Sequence, residues 1–228
     1  MNLAERSNVA LNYLRMARRV ADHAQTIGLP DPAPISPAIP DHLGAVLADC
    51  ILQAGLNYRS VVKVRVERIV ISFPQTSRLE GLAEVIRCGA VSEFLQWKHE
   101  EKIARFVGVV GLLEKHGVSD TVTLCSWLQN DTYRNHLLAL RGVGPKTVDY
   151  LCCLLGMDCV AVDRHLKVFV RGAGVELKEY EELKLVISYA ADLLDLSRRQ
   201  FDTWIWSLAS RGGLHAVEGR MANVAAVV

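Results

Sequence analysis

An excess of charge of one sign is missing from this chain: 26 Lys and Arg stand against 25 Asp and Glu, a formal net charge of +1. That excludes a protein coated in positive charge, but leaves room for a local basic stripe that meets phosphate. Charged residues are only 22% of the chain and half is apolar, which excludes intrinsic disorder. No apolar run reaches the ~20 residues that a membrane-spanning helix needs. The six cysteines (Cys50, Cys88, Cys125, Cys152, Cys153, Cys159) lie mostly inside apolar segments. They lack the loop-bounded spacing of a disulfide scaffold, so a reducing compartment is expected. Met1-Asn2-Leu3 runs into a charged helical pattern rather than a signal peptide, which points to the cytoplasm.

Strand signals are as scarce as charge excess. Val160-Ala161-Val162 is extended in flavour but too short to seed a sheet. Five of the seven prolines crowd into 30–40, so 29–40 reads as a proline-rich connector. Almost everything else has helical periodicity. The first helix runs from Leu3 to about Ile27, with Val9, Leu11, Leu14, Met16, Ala17 and Val20 as its apolar residues, and stops at Gly28. Further helices are predicted at about 41–54, 58–72, 79–87, 91–95, 99–115, 121–128, 131–140, 145–155, 164–171, 177–194 and 198–210. Short Gly, Pro, Asp and Ser breaks between them suit an all-α bundle. The Gly- and Ala/Val-containing tail, 212–228, lacks amphipathicity and is expected to be poorly ordered.

The informative segment is Leu138-Ala139-Leu140-Arg141-Gly142-Val143-Gly144-Pro145-Lys146-Thr147. A helix ends, Gly142-Val143-Gly144 reverses the chain, and Pro145 suits the first position of the next helix. Val143 can plug back into the core. Backbone N–H groups at the new helix start form a seat for phosphate, a way to hold DNA without reading sequence. Alone, such a turn is equally a plain connection. Lys146 changes the weighing, because the positive end of a helix dipole disfavours a cation there. That field favours the neutral amine, which is a nucleophile suited to Schiff-base chemistry. Seventeen residues on, an extended apolar stretch delivers Asp163 to the front of another helix. It is a good N-cap, and a carboxylate held by helix N–H groups can also stabilise positive charge developing on a sugar.

Together, Leu140-Arg141-Gly142-Val143-Gly144-Pro145-Lys146-Thr147 and Val162-Asp163-Arg164-His165 resemble the helix–hairpin–helix DNA glycosylase superfamily, endonuclease III in particular. The similarity extends over roughly 41–211, with Leu52-Gln53-Ala54 matching a DNA-inserting glutamine segment and Trp204-Ile205-Trp206 matching a later helix. The resemblance implies an all-α, two-lobed protein with a DNA groove between the lobes. One lobe would be a bundle of 41–162 with the hairpin at 130–156; the other would join 1–28 to 163–211. It implies that Lys146 attacks C1′ of a flipped-out nucleotide, that Asp163 assists, and that β-elimination then cuts the strand. Gln53, Arg141, Gly142, Val143, Gly144, Thr147 and His165 are the implied DNA contacts. The carbonyls of Leu138, Leu140 and Val143 are a candidate seat for a monovalent cation, Na+ or K+. The implied partner is double-stranded DNA with a damaged base or abasic site, met by a monomer, nucleoid-associated if the source is prokaryotic.

Endonuclease III carries four C-terminal cysteines around an iron–sulfur cluster, whereas no cysteine here follows Cys159. No cluster is therefore expected, and oxidised pyrimidines, the first choice of substrate, stand beside 8-oxoguanine as the alternative. A non-catalytic DNA-binding module and a monofunctional glycosylase are the other readings. Two basic stripes, Arg59/Lys63/Arg65/Arg68 and Arg141/Lys146/Arg164/Lys167/Arg171, are either phosphate contacts or solvated faces. Trp97, Trp127, Trp204 and Trp206 read as core. Cys152 and Cys153 read as buried, and His99, His116, His165 and His215 lack metal-ligand spacing.

Overall fold

The computed structural model describes residues 3–29 and 41–210. Most of the proline-rich connector, the tail 212–228 and His215 lie outside the described residues. Among these residues there are twelve α-helices and no strand, and no helix is long and apolar enough to cross a membrane. The chain divides into two compact units, one of residues 41–157 and one that joins 3–29 to 158–210.

The first unit is built around α2 (Leu43–Leu52), in which every residue is buried. A helix apolar on all sides must sit at the centre of its bundle, and α2 packs on α3 (Lys63–Ser72), α4 (Leu79–Arg87), α6 (Glu100–Lys115) and α9 (Pro145–Leu154). Its N-cap is unusual: the buried His42 accepts the Ala45 N–H at Nδ1, 3.1 Å away. Burial lowers the pKa of that imidazole, which keeps Nδ1 an acceptor. Gly44 is required by packing, since a Cβ there would lie 2.8 Å from Thr76 Oγ1. Helix α3 begins with a π-type turn, Tyr58–Val62. The short α5 (Val91–Leu95) follows α4, and Phe94 and Phe106 fill the core. Asp120 and Thr123 form a capping box at α7 (Thr121–Trp127), and Asn130 caps α8 (Asp131–Leu138).

In the second unit, α1 (Leu3–Ile27) lies along α11 (Tyr180–Leu193), with α10 (Arg164–Gly172) and α12 (Arg198–Ser210) closing the core around Phe169 and Phe201. The buried stripe of α1 is Ala17, Val20, Ala21, His23 and Ala24, in which the three alanines permit close approach. Val9, Leu11 and Leu14, expected on that stripe, are instead 42%, 50% and 45% exposed. Val160-Ala161-Val162 belongs to this unit and not to the hairpin bundle, so the boundary falls at Asp158 and not after 162. All three residues are buried. The Asp202 carboxylate accepts the Ala161 N–H at 2.8 Å and the Tyr180 hydroxyl accepts the Val162 N–H at 3.3 Å. Side chains thus satisfy an extended segment that has no strand partner.

Trp127 is buried and Trp204 packs half-buried against the core rings of Phe169 and Phe201, whereas Trp97 and Trp206 are half-buried. Trp97 lies beneath the Arg65 guanidinium and the Lys102 amine, a cation–π site rather than an apolar one.

Candidate active site

The hairpin forms where the glycines place it. After α8, the Val143 N–H bonds the Leu140 carbonyl at 3.0 Å and closes the reversal. Gly142 has φ +79°, a backbone that side chains rarely adopt, and the Arg105 guanidinium occupies the space where its Cβ would be. Val143 plugs into the core as its apolar side chain predicts. Gly144 differs from the expectation. Its φ of −106° is open to any residue, and a Cβ on it would meet nothing within 4 Å. No intramolecular contact asks for a glycine there. Pro145 takes the first position of α9. Among the described residues, the N–H groups of Gly144 and Lys146 make no hydrogen bond, which leaves two donors at a positive helix end.

Lys146 is half-buried, and its Nζ donates to Oε1 of Gln53 at 3.2 Å. The two residues, 93 apart in sequence, are thereby brought together. Among the described residues no carboxylate pairs with the amine. The ammonium demands the amide oxygen, so Gln53 Nε2 is left buried without a partner. Gln53 is the C-cap of α2, its own N–H bonded to the Asp49 carbonyl at 3.0 Å. The end of α2 is further held by Lys102, whose Nζ donates to the carbonyls of Leu52 and Ala54, each at 2.7 Å. Burial, and then the Arg105 charge, bring the Lys102 amine down to about 8. Thr147 is half-buried with its carbonyl accepting from Cys50 Sγ at 3.4 Å. Arg141 is exposed beside Glu101.

One turn deeper lies a group that sequence reasoning missed. Asp49 is fully buried, and its carboxylate accepts from Tyr150 Oη at 2.9 Å and from Tyr58 Oη at 3.2 Å. Burial pushes this carboxyl up to about 6, against the two hydrogen bonds that favour its charged form. Burial and the Asp49 charge together raise both tyrosines above their usual range. The signal was available: an aspartate in the middle of a helix otherwise made of apolar residues and glycine.

In the second unit Asp163 caps α10, its Oδ1 accepting the N–H groups of His165 at 2.7 Å and Leu166 at 3.0 Å. The capping role is therefore real, and Oδ2 makes no hydrogen bond among the described residues. His165 is half-buried and Arg164 exposed. The basic stripes fare unequally. Arg68 donates to the carbonyls of Glu93 and Phe94 at the end of α5, Arg65 to those of Val61 and Gln96, and Lys63 pairs with Glu67. That first stripe is largely structural. The second is split, with Arg141 and Lys146 in one unit and Arg164, Lys167 and Arg171 in the other.

Among the described residues no group of three or more His, Cys, Asp and Glu could hold a metal ion, and none of the six cysteines forms a disulfide. No protein-family model matches the chain, and neither does any curated protein. Among solved structures, a 3-methyladenine DNA glycosylase of H. pylori (MagIII), bound to 1,N6-ethenoadenine, is similar at 15% identity. The likeness covers 88% of this chain and 98% of that one, with a TM-score of 0.53. This chain therefore shares the all-helical fold of that enzyme.

Proposed function

We propose that this protein is a DNA glycosylase of base excision repair, of the helix–hairpin–helix superfamily, that also cleaves the strand at the abasic site. The observation that carries the reading is Lys146: a half-buried amine in the first turn of α9, bonded to an amide oxygen and, among the described residues, to no carboxylate. In the proposed reaction the N–C1′ bond forms as the bond from C1′ to the base breaks, and the base leaves with a proton. Ring opening, with a proton taken up at O4′, gives an iminium on Lys146, and β-elimination then passes a C2′ proton to water and breaks the C3′–O bond as the 3′-phosphate leaves. Asp163 supports the positive charge that develops on the sugar. The free N–H groups of Gly144 and Lys146 would seat a phosphate, and the open space at Gly144 gives the DNA backbone room for close approach. The carbonyls at the end of α8 and in the turn (Leu138, Leu140, Val143) suit a Na+ or K+ ion that would neutralise that phosphate. Gln53 would enter the space left by the flipped nucleotide.

The substrate on this reading is an oxidised base, a pyrimidine first and 8-oxoguanine second. The likeness to a 3-methyladenine glycosylase holding ethenoadenine supports a second reading, an alkylated purine released by water. Borohydride separates the two. Incubated with an abasic duplex and sodium borohydride, the protein is expected to form a covalent adduct that vanishes in Lys146→Ala. Base release without an adduct would support the monofunctional reading, and DNA binding with neither would leave only a binding module. Duplexes bearing thymine glycol, 8-oxoguanine, 3-methyladenine or ethenoadenine then identify the base.

A further inference from the structure

Helices α2 and α9 are joined by polar rungs in a single register. Gln53 lies one turn beyond Asp49, and Tyr150 one turn beyond Lys146, so each pair shares a helix face. Asp49 meets Tyr150 at 2.9 Å, and Gln53 meets Lys146 at 3.2 Å, the pairing of two antiparallel helices. Between the rungs, Cys50 Sγ reaches the Thr147 carbonyl at 3.4 Å. The outer rung holds the amine, and the inner rung is buried. Apolar contact between the helices is non-directional and gives little resistance to a slip of one residue. Such a slip would move Lys146 by about 1.5 Å along the axis and turn it by about 100°, out of reach of Gln53. A carboxylate held by two hydroxyls is directional and resists it.

We infer that Asp49 is a positioning residue for Lys146: through Tyr150 it locks α9 in the register on α2 that holds the lysine amine at Gln53. The inference rests on the reading of Lys146 as the nucleophile. Stability alone gives no reason for Asp49. Every other residue of α2 is apolar or glycine, and a well-packed apolar side chain in place of a buried charge is often neutral or stabilising. What the carboxylate supplies is registry, and a misplacement of about 1 Å can cost 10²-fold in rate.

The test uses Tyr150→Phe, which removes one oxygen, Asp49→Leu, and Asp49→Asn, whose amide oxygen still accepts from Tyr150. Two quantities are read: the single-turnover rate of borohydride trapping on saturating abasic duplex, and the rate of reductive methylation of Lys146 without DNA. The second is mapped by mass spectrometry against the exposed Lys98. Tyr150→Phe and Asp49→Leu are expected to trap at least tenfold more slowly, with the Kd for duplex within twofold and with rates that do not follow Tm across the variants. Their Lys146 methylation should rise at least threefold, while Asp49→Asn stays within threefold of wild type in both measures. Unchanged methylation of Lys146 in Tyr150→Phe and Asp49→Leu overturns the inference. So does a loss of rate in all three variants that follows their loss of Tm, which marks a packing role only. If wild-type protein forms no adduct, the lyase reading falls, and methylation by itself decides the positioning claim. Should Asp49→Leu not fold, Tyr150→Phe by itself decides between registry and packing.

Discussion

At the residue scale, two carboxylates meet opposite environments. Asp163 is half-buried and takes two backbone N–H groups on one oxygen. Asp163→Asn keeps that oxygen, so the cap survives and Tm should change by no more than about 1 kcal/mol equivalent. On the proposed mechanism base release should fall by orders of magnitude, because the charge that would support a developing cation is gone. Equal losses of Tm and activity in melting and single-turnover assays would reduce Asp163 to a cap. Asp49 is fully buried and its carboxyl sits at about 6 in the folded chain, against an ordinary value of 3.8. Between those two values the folded protein holds a proton that the unfolded chain releases. Stability therefore falls as pH rises through this window, by up to about 3 kcal/mol for a shift of this size. Asp49→Asn, which never ionises, should gain stability over wild type from pH 4 to pH 7. Melting curves across that range check it, and a difference independent of pH would show that the carboxyl is not shifted.

The hairpin shows the same contrast at the scale of an element. Its two glycines flank Val143 in a symmetric motif, yet they answer to different forces. Gly142 has a positive φ, and Arg105 fills the space beyond it, so Gly142→Ala strains the backbone and pushes the guanidinium away. A loss of about 1–3 kcal/mol is expected. Gly144 has an ordinary backbone and open surroundings, and Gly144→Ala should cost at most about 1 kcal/mol, the difference between Gly and Ala as N-caps. If the hairpin seats phosphate, Gly144→Ala should nevertheless weaken duplex binding, because the methyl group stands where the DNA backbone would approach. Tm and Kd measured side by side distinguish the two glycines. A Gly144→Ala protein that binds duplex as wild type does would remove the phosphate seat from the account.

Across the whole molecule, charge is balanced and much of it is already used. Net charge is +1, Arg65 and Arg68 hold helix ends, and Lys63 pairs with Glu67. A total of 26 cations against 25 anions gives no large positive field to displace counterions from DNA. The logarithm of the binding constant should thus fall with that of salt at a slope of only about −2 to −4, corresponding to some two to four neutralised phosphates. A titration of duplex affinity between about 50 and 200 mM salt tests this, and a much steeper slope would point to a basic surface beyond these residues.

By itself the sequence determined what depends on neighbours along the chain. Helix periodicity, the reversal at Gly142, Pro145 at the start of α9 and Asp163 as a cap are local effects of backbone angle and helix-end hydrogen bonding, and they were legible as such. Only the tertiary structure decided which face of an apolar helix is buried. Val9, Leu11 and Leu14 follow helical spacing, yet face outward because α11 packs on the alanine stripe of α1 instead. The same holds for the partners of α9. Gln53 and Asp49 are separated from α9 by some ninety residues, and no local rule joins them; packing α2 against α9 does. Hydrogen bonds between distant residues exist only once apolar burial has fixed the helices that carry them.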